Sequence, residues 1–188
     1  MPRRKDIFQK DHFYHIYNRG VNRSNIFFNR GNYFYCIDLL NKYATSYSIR
    51  IVVYCLMPNH YHLILKQESD ESIAKYMGVV FNAYVQAVNR QMDRSGTLFE
   101  GRFRHVHIDR DEYILHLCRY IHLNPVKSGM VGNPEDWEFS DYKDWIFGRR
   151  NRDIISTYFL SPREYAKFVL ELKEEQELKP IKPFLLDE

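Results

Sequence analysis

The runs Ile51-Val52-Val53-Tyr54-Cys55-Leu56 and His60-Tyr61-His62-Leu63-Ile64-Leu65 flank Pro58-Asn59, and this arrangement most constrains the fold. β-Branched and aromatic residues favour strands, and two such runs across a short turn read as a hairpin in the middle of a sheet. Side chains alternate along a strand, so His60 and His62 share one face and Tyr61 takes the other. Two neutral imidazoles on one face make half of a divalent-metal site. The spacing alone equally admits a core histidine with a chance neighbour.

Around the hairpin the periodicity alternates. Phe13 to Tyr17 reads as a strand ending at the loop Asn18-Arg19-Gly20-Val21-Asn22-Arg23. A helix is expected over roughly 32–46, with Phe34, Ile37, Leu40 and Ala44 at helical spacing. Asp70-Glu71-Ser72 opens a second helix to about Met92, with Ile73, Met77, Val80, Phe81, Tyr84, Val85 and Val88 on its apolar side. Gly96 and Gly101 frame a loop before a strand over 103–108. Asp109 or Asp111 then caps a third helix, which is expected to end near Pro125. The order strand, helix, two strands, helix, strand, helix predicts an α+β protein. Its core is a ferredoxin-like or RRM-like antiparallel sheet with helices on one side. Residues 1–133 form the expected core domain. Residues 134–188 form a C-terminal helical extension packed on or following it, with a last helix over about 162–176 and a charge-rich solvated run from Glu171 to Glu177.

Cys36, Cys55 and Cys118 are odd in number and lack C-x-x-C spacing, which argues for a reducing compartment and against a cysteine zinc site. No apolar stretch approaches the ~20 residues of a membrane span, and the start of the chain leads into no signal-peptide core. A cytoplasmic protein without membrane attachment is expected. The net charge is +3, but residues 161–188 carry 5 basic and 7 acidic side chains, leaving +5 on residues 1–160. A mildly basic body permits a polyanionic partner.

The third helix adds the chemistry. Ile114, Leu117, Cys118 and Ile121 form its core stripe, and Tyr113, His116, Tyr120 and Asn124 a row along one border. Tyr120 and Asn124 lie one turn apart and can converge on one point. His60 and His62 need a further ligand, and no acidic residue stands in a corresponding position. The chain offers the Asn124 amide oxygen beside the Tyr120 phenol. A neutral His-His-Asn set leaves a divalent charge uncompensated and favours an anionic ligand such as a phosphodiester, with the phenol as candidate nucleophile.

Several motifs, in order over about residues 13–145, resemble one family. They are Tyr14-His15-Ile16-Tyr17-Asn18-Arg19-Gly20, Met57-Pro58-Asn59-His60-Tyr61-His62, Leu98-Phe99-Glu100-Gly101-Arg102-Phe103, Tyr120-Ile121-His122-Leu123-Asn124-Pro125-Val126-Lys127-Ser128-Gly129, and Trp137 to Tyr142. They look like the HUH single-tyrosine transposases of IS200-type insertion sequences, and within these most like the REP-associated tyrosine transposases. The resemblance implies a metal-dependent single-stranded DNA endonuclease and strand transferase that cuts near hairpins in DNA transposition or processing of REP-type repeats. Tyr120 would form a 5′-phosphotyrosine bond, and His60, His62 and Asn124 would bind Mg²⁺ or Mn²⁺. His116 is a possible additional ligand or base. The middle residue of the triplet, Tyr61, is bulky for the family pattern.

Arg19 and Arg23 in the first loop, Arg102 and Arg104 beside the fourth strand, and Lys127 after the catalytic helix are candidate DNA contacts or plain surface charges. The resemblance implies a monomer or a homodimer. A domesticated nucleic-acid-binding protein without catalysis, and a fold merely stabilised by metal, are the alternative readings.

Overall fold

A computed structural model describes residues 8–171. Four strands, β1 (Phe13–Arg19), β2 (Ile49–Met57), β3 (His60–Gln67) and β4 (Arg104–Ile108), form one antiparallel sheet in the order β2-β3-β1-β4. Helix α1 (Arg30–Ser46) lies between β1 and β2, α2 (Ile73–Gln91) between β3 and β4, and α3 (Asp111–Lys127) follows β4. This is the ferredoxin-like connectivity expected from the alternating periodicity.

Local chemistry explains the boundaries. The Asn29 side chain accepts the Asn32 N–H at 3.0 Å to start α1, and Ser72 accepts the Ala74 N–H at 3.1 Å to start α2. Pro58-Asn59 is the two-residue loop of the β2–β3 hairpin, whose register pairs Met57 with His60 and Cys55 with His62. That loop is held from the side: Pro58 O accepts the Ile26 and Phe27 N–H groups, and Asn59 O accepts that of Gly20. A Cβ on Gly20 would stand 2.0 Å from Ser24 O, so only glycine lets the chain turn this tightly beside the hairpin.

Strand alternation separates the faces. Tyr61 points to α2 and stacks on Phe81 with ring centroids 4.4 Å apart, whereas His62 on the other face meets Tyr120 of α3. Helices α1 and α2 therefore share one side, as the ferredoxin-like pattern predicts. Helix α3, grouped with them in the sequence reading, crosses the opposite face. Its stripe is the expected one: Ile114, Leu117, Cys118 and Ile121 are all buried.

One expectation for α3 needs correction: Arg110, not Asp109 or Asp111, occupies the N-cap position, with no side-chain capping bond. The helix ends near Pro125 as expected, carrying the proline in its last turn and stopping at Lys127. A proline this near the C-terminus removes one N–H and leaves the exit intact. Ser128 N–H reaches Asn124 O at 3.0 Å, Met130 N–H reaches Pro125 O at 2.9 Å, and Gly129 supplies the left-handed turn at φ +67°.

Beyond residue 134 the chain returns to the β2 edge. Leu56 N–H donates to Phe139 O, Asp141 N–H to Tyr54 O, and the Trp137 and Trp145 indoles donate to Leu56 O and Val52 O. These bonds satisfy an otherwise open strand edge. Three short helices follow, α4 (Tyr142–Ile146), α5 (Arg152–Tyr158) and α6 (Pro162–Leu170), with Trp145 and Tyr165 fully buried against each other. The expected continuation of the last helix to Gln176, and most of the run Glu171 to Glu177, lie outside the described residues.

Candidate active site

His60 and His62 project from β3 toward α3, their ring centroids 5.1 Å apart and their planes 82° from parallel. Each has its Nδ1 engaged. His60 Nδ1 lies 2.7 Å from Asn59 Oδ1, and Asn59 is oriented by donating its Nδ2–H to Arg23 O. His60 Nδ1 must therefore donate, leaving a lone pair on Nε2 in the neutral imidazole. That Nε2 stands 3.2 Å from Asn124 Oδ1. Two lone-pair atoms thus face each other, at a separation close to the ~3 Å between adjacent ligands of an octahedral Mg²⁺.

His62 is fully buried. Its Nδ1 lies 3.0 Å from Nε2 of His15, a buried residue on β1, and its own Nε2 is buried with no hydrogen-bond partner. Burial first, then the neighbouring His15 and His60, push its pKa well below the usual histidine value, so the ring is a neutral one. Donation from His62 Nδ1–H to His15 leaves the Nε2 lone pair for a metal, the arrangement in which an outer partner orients a metal-binding histidine. The orphaned Nε2 and the facing His60–Asn124 pair fit a divalent cation. Among the described residues no group of three or more His, Cys, Asp or Glu side chains is arranged for a metal. The candidate set has two such residues and is completed by an amide oxygen.

Tyr120 and Asn124, one turn apart on α3, both face this set and are buried. The Tyr120 ring meets His62 edge to face, centroids 5.7 Å apart, and Lys127 Nζ stands 5.3 Å from the Tyr120 centroid. His116 has a different setting. Its Nδ1 lies 3.1 Å from Arg119 Nη2 and its ring packs on Phe168 of α6.

The basic residues surround the opening. Arg19, Arg23 and Lys127 line a cavity of about 380 Å³ together with His60. Arg19 also borders a second cavity, of about 250 Å³, with Arg102, Arg104 and Glu100. Arg19 is paired with Glu100, whose carboxyl that guanidinium holds below the usual range. A larger cavity of about 590 Å³ lies on the other side of the sheet, lined by Tyr61, Phe81, Phe99 and Phe103, and touches none of His60, His62, Tyr120 or Asn124.

Three residues around the set gave no signal of their own in the sequence: His15 and Asn59 beside the histidines, and His122 on the back of α3. All three lie inside the quoted motifs, and strand pairing brings the first two forward. Tyr17 is directly opposite His62 in the β1–β3 register, so His15, two residues away, shares its face.

Sheet order, crossing helix and histidine pair together define a ferredoxin-like protein with a split tyrosine and histidine site. Residues 8–124 match the family model for IS200-like transposases, and the chain belongs to that family as a transposase. A protein of Haemophilus influenzae named as a REP-associated tyrosine transposase is 26% identical over 125 residues, 57% of this chain and 71% of that protein. A REP-associated tyrosine transposase solved bound to a REP hairpin superposes with a TM-score of 0.65 at 20% identity, covering 78% of this chain and 86% of the other. At that identity the likeness is one of fold.

Proposed function

We propose that this transposase is a divalent-metal-dependent single-stranded DNA endonuclease and strand transferase, working in the cytoplasm on DNA beside a hairpin. The observation that carries the reading is the convergence of His60 Nε2, the orphaned His62 Nε2 and Asn124 Oδ1 beneath a buried tyrosine packed on His62. His60, His62 and Asn124 would hold Mg²⁺ or Mn²⁺, which supplies Lewis-acid stabilisation of charge developing on a phosphate oxygen. The Tyr120 oxygen attacks the phosphorus. An O–P bond forms, the bond to the 3′ oxygen breaks, and that oxygen leaves as a 3′-hydroxyl after gaining a proton. The 5′ end stays on Tyr120 as a phosphotyrosine, which preserves the phosphodiester for rejoining to another end. Lys127, beside the ring, favours the phenolate as the proton departs. Arg19, Arg23, Arg102 and Arg104 hold flanking phosphates and the hairpin foot. Tyr120 lies against His62 of its own chain, a contact that supports cleavage by a monomer over exchange of the tyrosine helix in a homodimer. His116, its Nδ1 engaged by Arg119 and its ring packed on Phe168, stands as a further ligand or base beyond this three-residue set.

The test is incubation with Mn²⁺ and a hairpin-flanked oligonucleotide. A covalent adduct on the 5′ side of the cut is expected, absent in Tyr120→Phe and on chelation. An adduct that persists in Tyr120→Phe removes the reading.

A further inference from the structure

His122 sits between Tyr120 and Asn124 on α3, about 200° around the helix from each at ~100° per residue. It is fully buried. One neutral tautomer satisfies both of its nitrogens: Nε2–H donates to Asp141 Oδ1 at 3.1 Å, and Nδ1 accepts the Tyr165 hydroxyl at 2.7 Å. The same Asp141 Oδ1 accepts the backbone N–H of Tyr54 at 3.0 Å, and Oδ2 accepts the Trp145 indole at 3.2 Å. Tyr54 precedes Cys55 on β2, and Cys55 is paired directly with His62. A single carboxylate thus ties the back of the tyrosine helix to the strand beside the histidines. Helix α6 grips the same stretch: Tyr165 reaches His122, while the Arg119 guanidinium lies 4.3 Å from the Phe168 ring centroid.

The apolar stripe sets which side of the helix meets the sheet but fixes its rotation only coarsely, because the hydrophobic effect is non-directional. Hydrogen bonds are directional, and a fully satisfied buried network selects one arrangement. Burying a carboxylate carries a desolvation cost that an apolar residue avoids, so its presence points to a demand for position.

We propose that Asp141 is a positioning residue for DNA cleavage: through His122 it sets the rotation and height of α3, keeping Asn124 opposite His60 and Tyr120 against His62. The inference rests on the functional reading above. It makes the segment after residue 134 part of the catalytic unit.

The experiment uses the full chain with Asp141→Asn and Tyr165→Phe, the second removing one hydroxyl and sparing the ring. Ile155→Ala, a buried change on α5 outside the network, serves as a destabilised control. Three quantities are read below the melting point of each variant: hairpin-oligonucleotide Kd, Mn²⁺ affinity by electron paramagnetic resonance, and the single-turnover rate of adduct formation. The network variants are expected to keep Kd within about twofold, bind Mn²⁺ about tenfold more weakly, and form the adduct roughly 10- to 100-fold more slowly. Excess Mn²⁺ should restore part of that rate, and the control should keep wild-type chemistry. Wild-type rates in both network variants, or an equal loss in Ile155→Ala, overturn the positioning role. If Asp141→Asn does not fold, Tyr165→Phe decides alone. A wild-type chain that binds no Mn²⁺ and forms no adduct overturns the functional reading and this inference together.

Discussion

His60 Nε2 and Asn124 Oδ1, 64 residues apart in the chain, stand 3.2 Å from each other with lone pairs facing. In the neutral tautomer set by Asn59 the imidazole gains nothing from this contact, whereas a divalent cation held here would take both atoms as ligands. Asn124→Ala is therefore expected to weaken Mn²⁺ binding by tenfold or more while leaving the melting temperature close to wild type. Mn²⁺ titration and thermal denaturation of the same samples check this.

His15 orients His62 from behind. His15→Phe fills the space but removes the acceptor for His62 Nδ1–H. Loss of such an outer partner typically costs 10- to 100-fold in metal affinity, and that range is expected here. An unchanged Mn²⁺ affinity in a folded His15→Phe would show that the ring orientation has another source.

The Arg19–Glu100 pair restrains the surface proposed to hold DNA. Its carboxylate neutralises a guanidinium that borders both basic cavities. Glu100→Gln removes the negative charge facing Arg19 and should raise single-stranded DNA affinity several-fold and steepen the plot of log K against log salt by about 0.7, one phosphate's worth. Lys127→Ala should flatten the same plot by a similar amount. Salt-dependent fluorescence anisotropy measures both slopes.

Stability should depend on pH through Arg50 on β2 and Asp153 on α5, which form a two-pronged ion pair. The Arg50 hydrogen bond holds the Asp153 carboxyl below its ordinary 3.8. Between its folded and unfolded pKa the unfolded chain binds the proton better, so stability rises with pH through that window. The contribution is fully present above about pH 4 and lost as the pH falls through the folded value. Because Asp153 is well exposed, Asp153→Asn should cost only about 0.5–1 kcal/mol at pH 7. The two proteins should converge once the pH has fallen below the lowered folded value. Denaturant melts across an acid pH series check the difference.

The ferredoxin-like order was legible because each element carries its own periodicity: the alternation of β3, the stripe of α2, the Pro58-Asn59 turn. Proline propensity, a local rule, places the end of α3 near Pro125, but the exit bonds of Ser128, Gly129 and Met130 that close the helix are not visible in it. The face taken by α3 was not legible either. Its stripe shows that it packs, and nothing in a stripe says on which side of a sheet. His122 showed no signal as a lone apolar-flanked histidine, since its partners Asp141 and Tyr165 arrive from 19 and 43 residues away.

By itself the sequence determined the chemistry at hand and the local frame: two histidines on one strand face, a phenol and an amide one helical turn apart, and the elements that carry them. These follow from backbone geometry, which repeats every two or 3.6 residues whatever the surroundings. Only the tertiary structure decided that the two halves meet, which nitrogens keep their lone pairs, and what holds the helix in place. Those outcomes depend on which distant groups satisfy each buried donor and acceptor, and that pairing exists only once the chain has closed on itself.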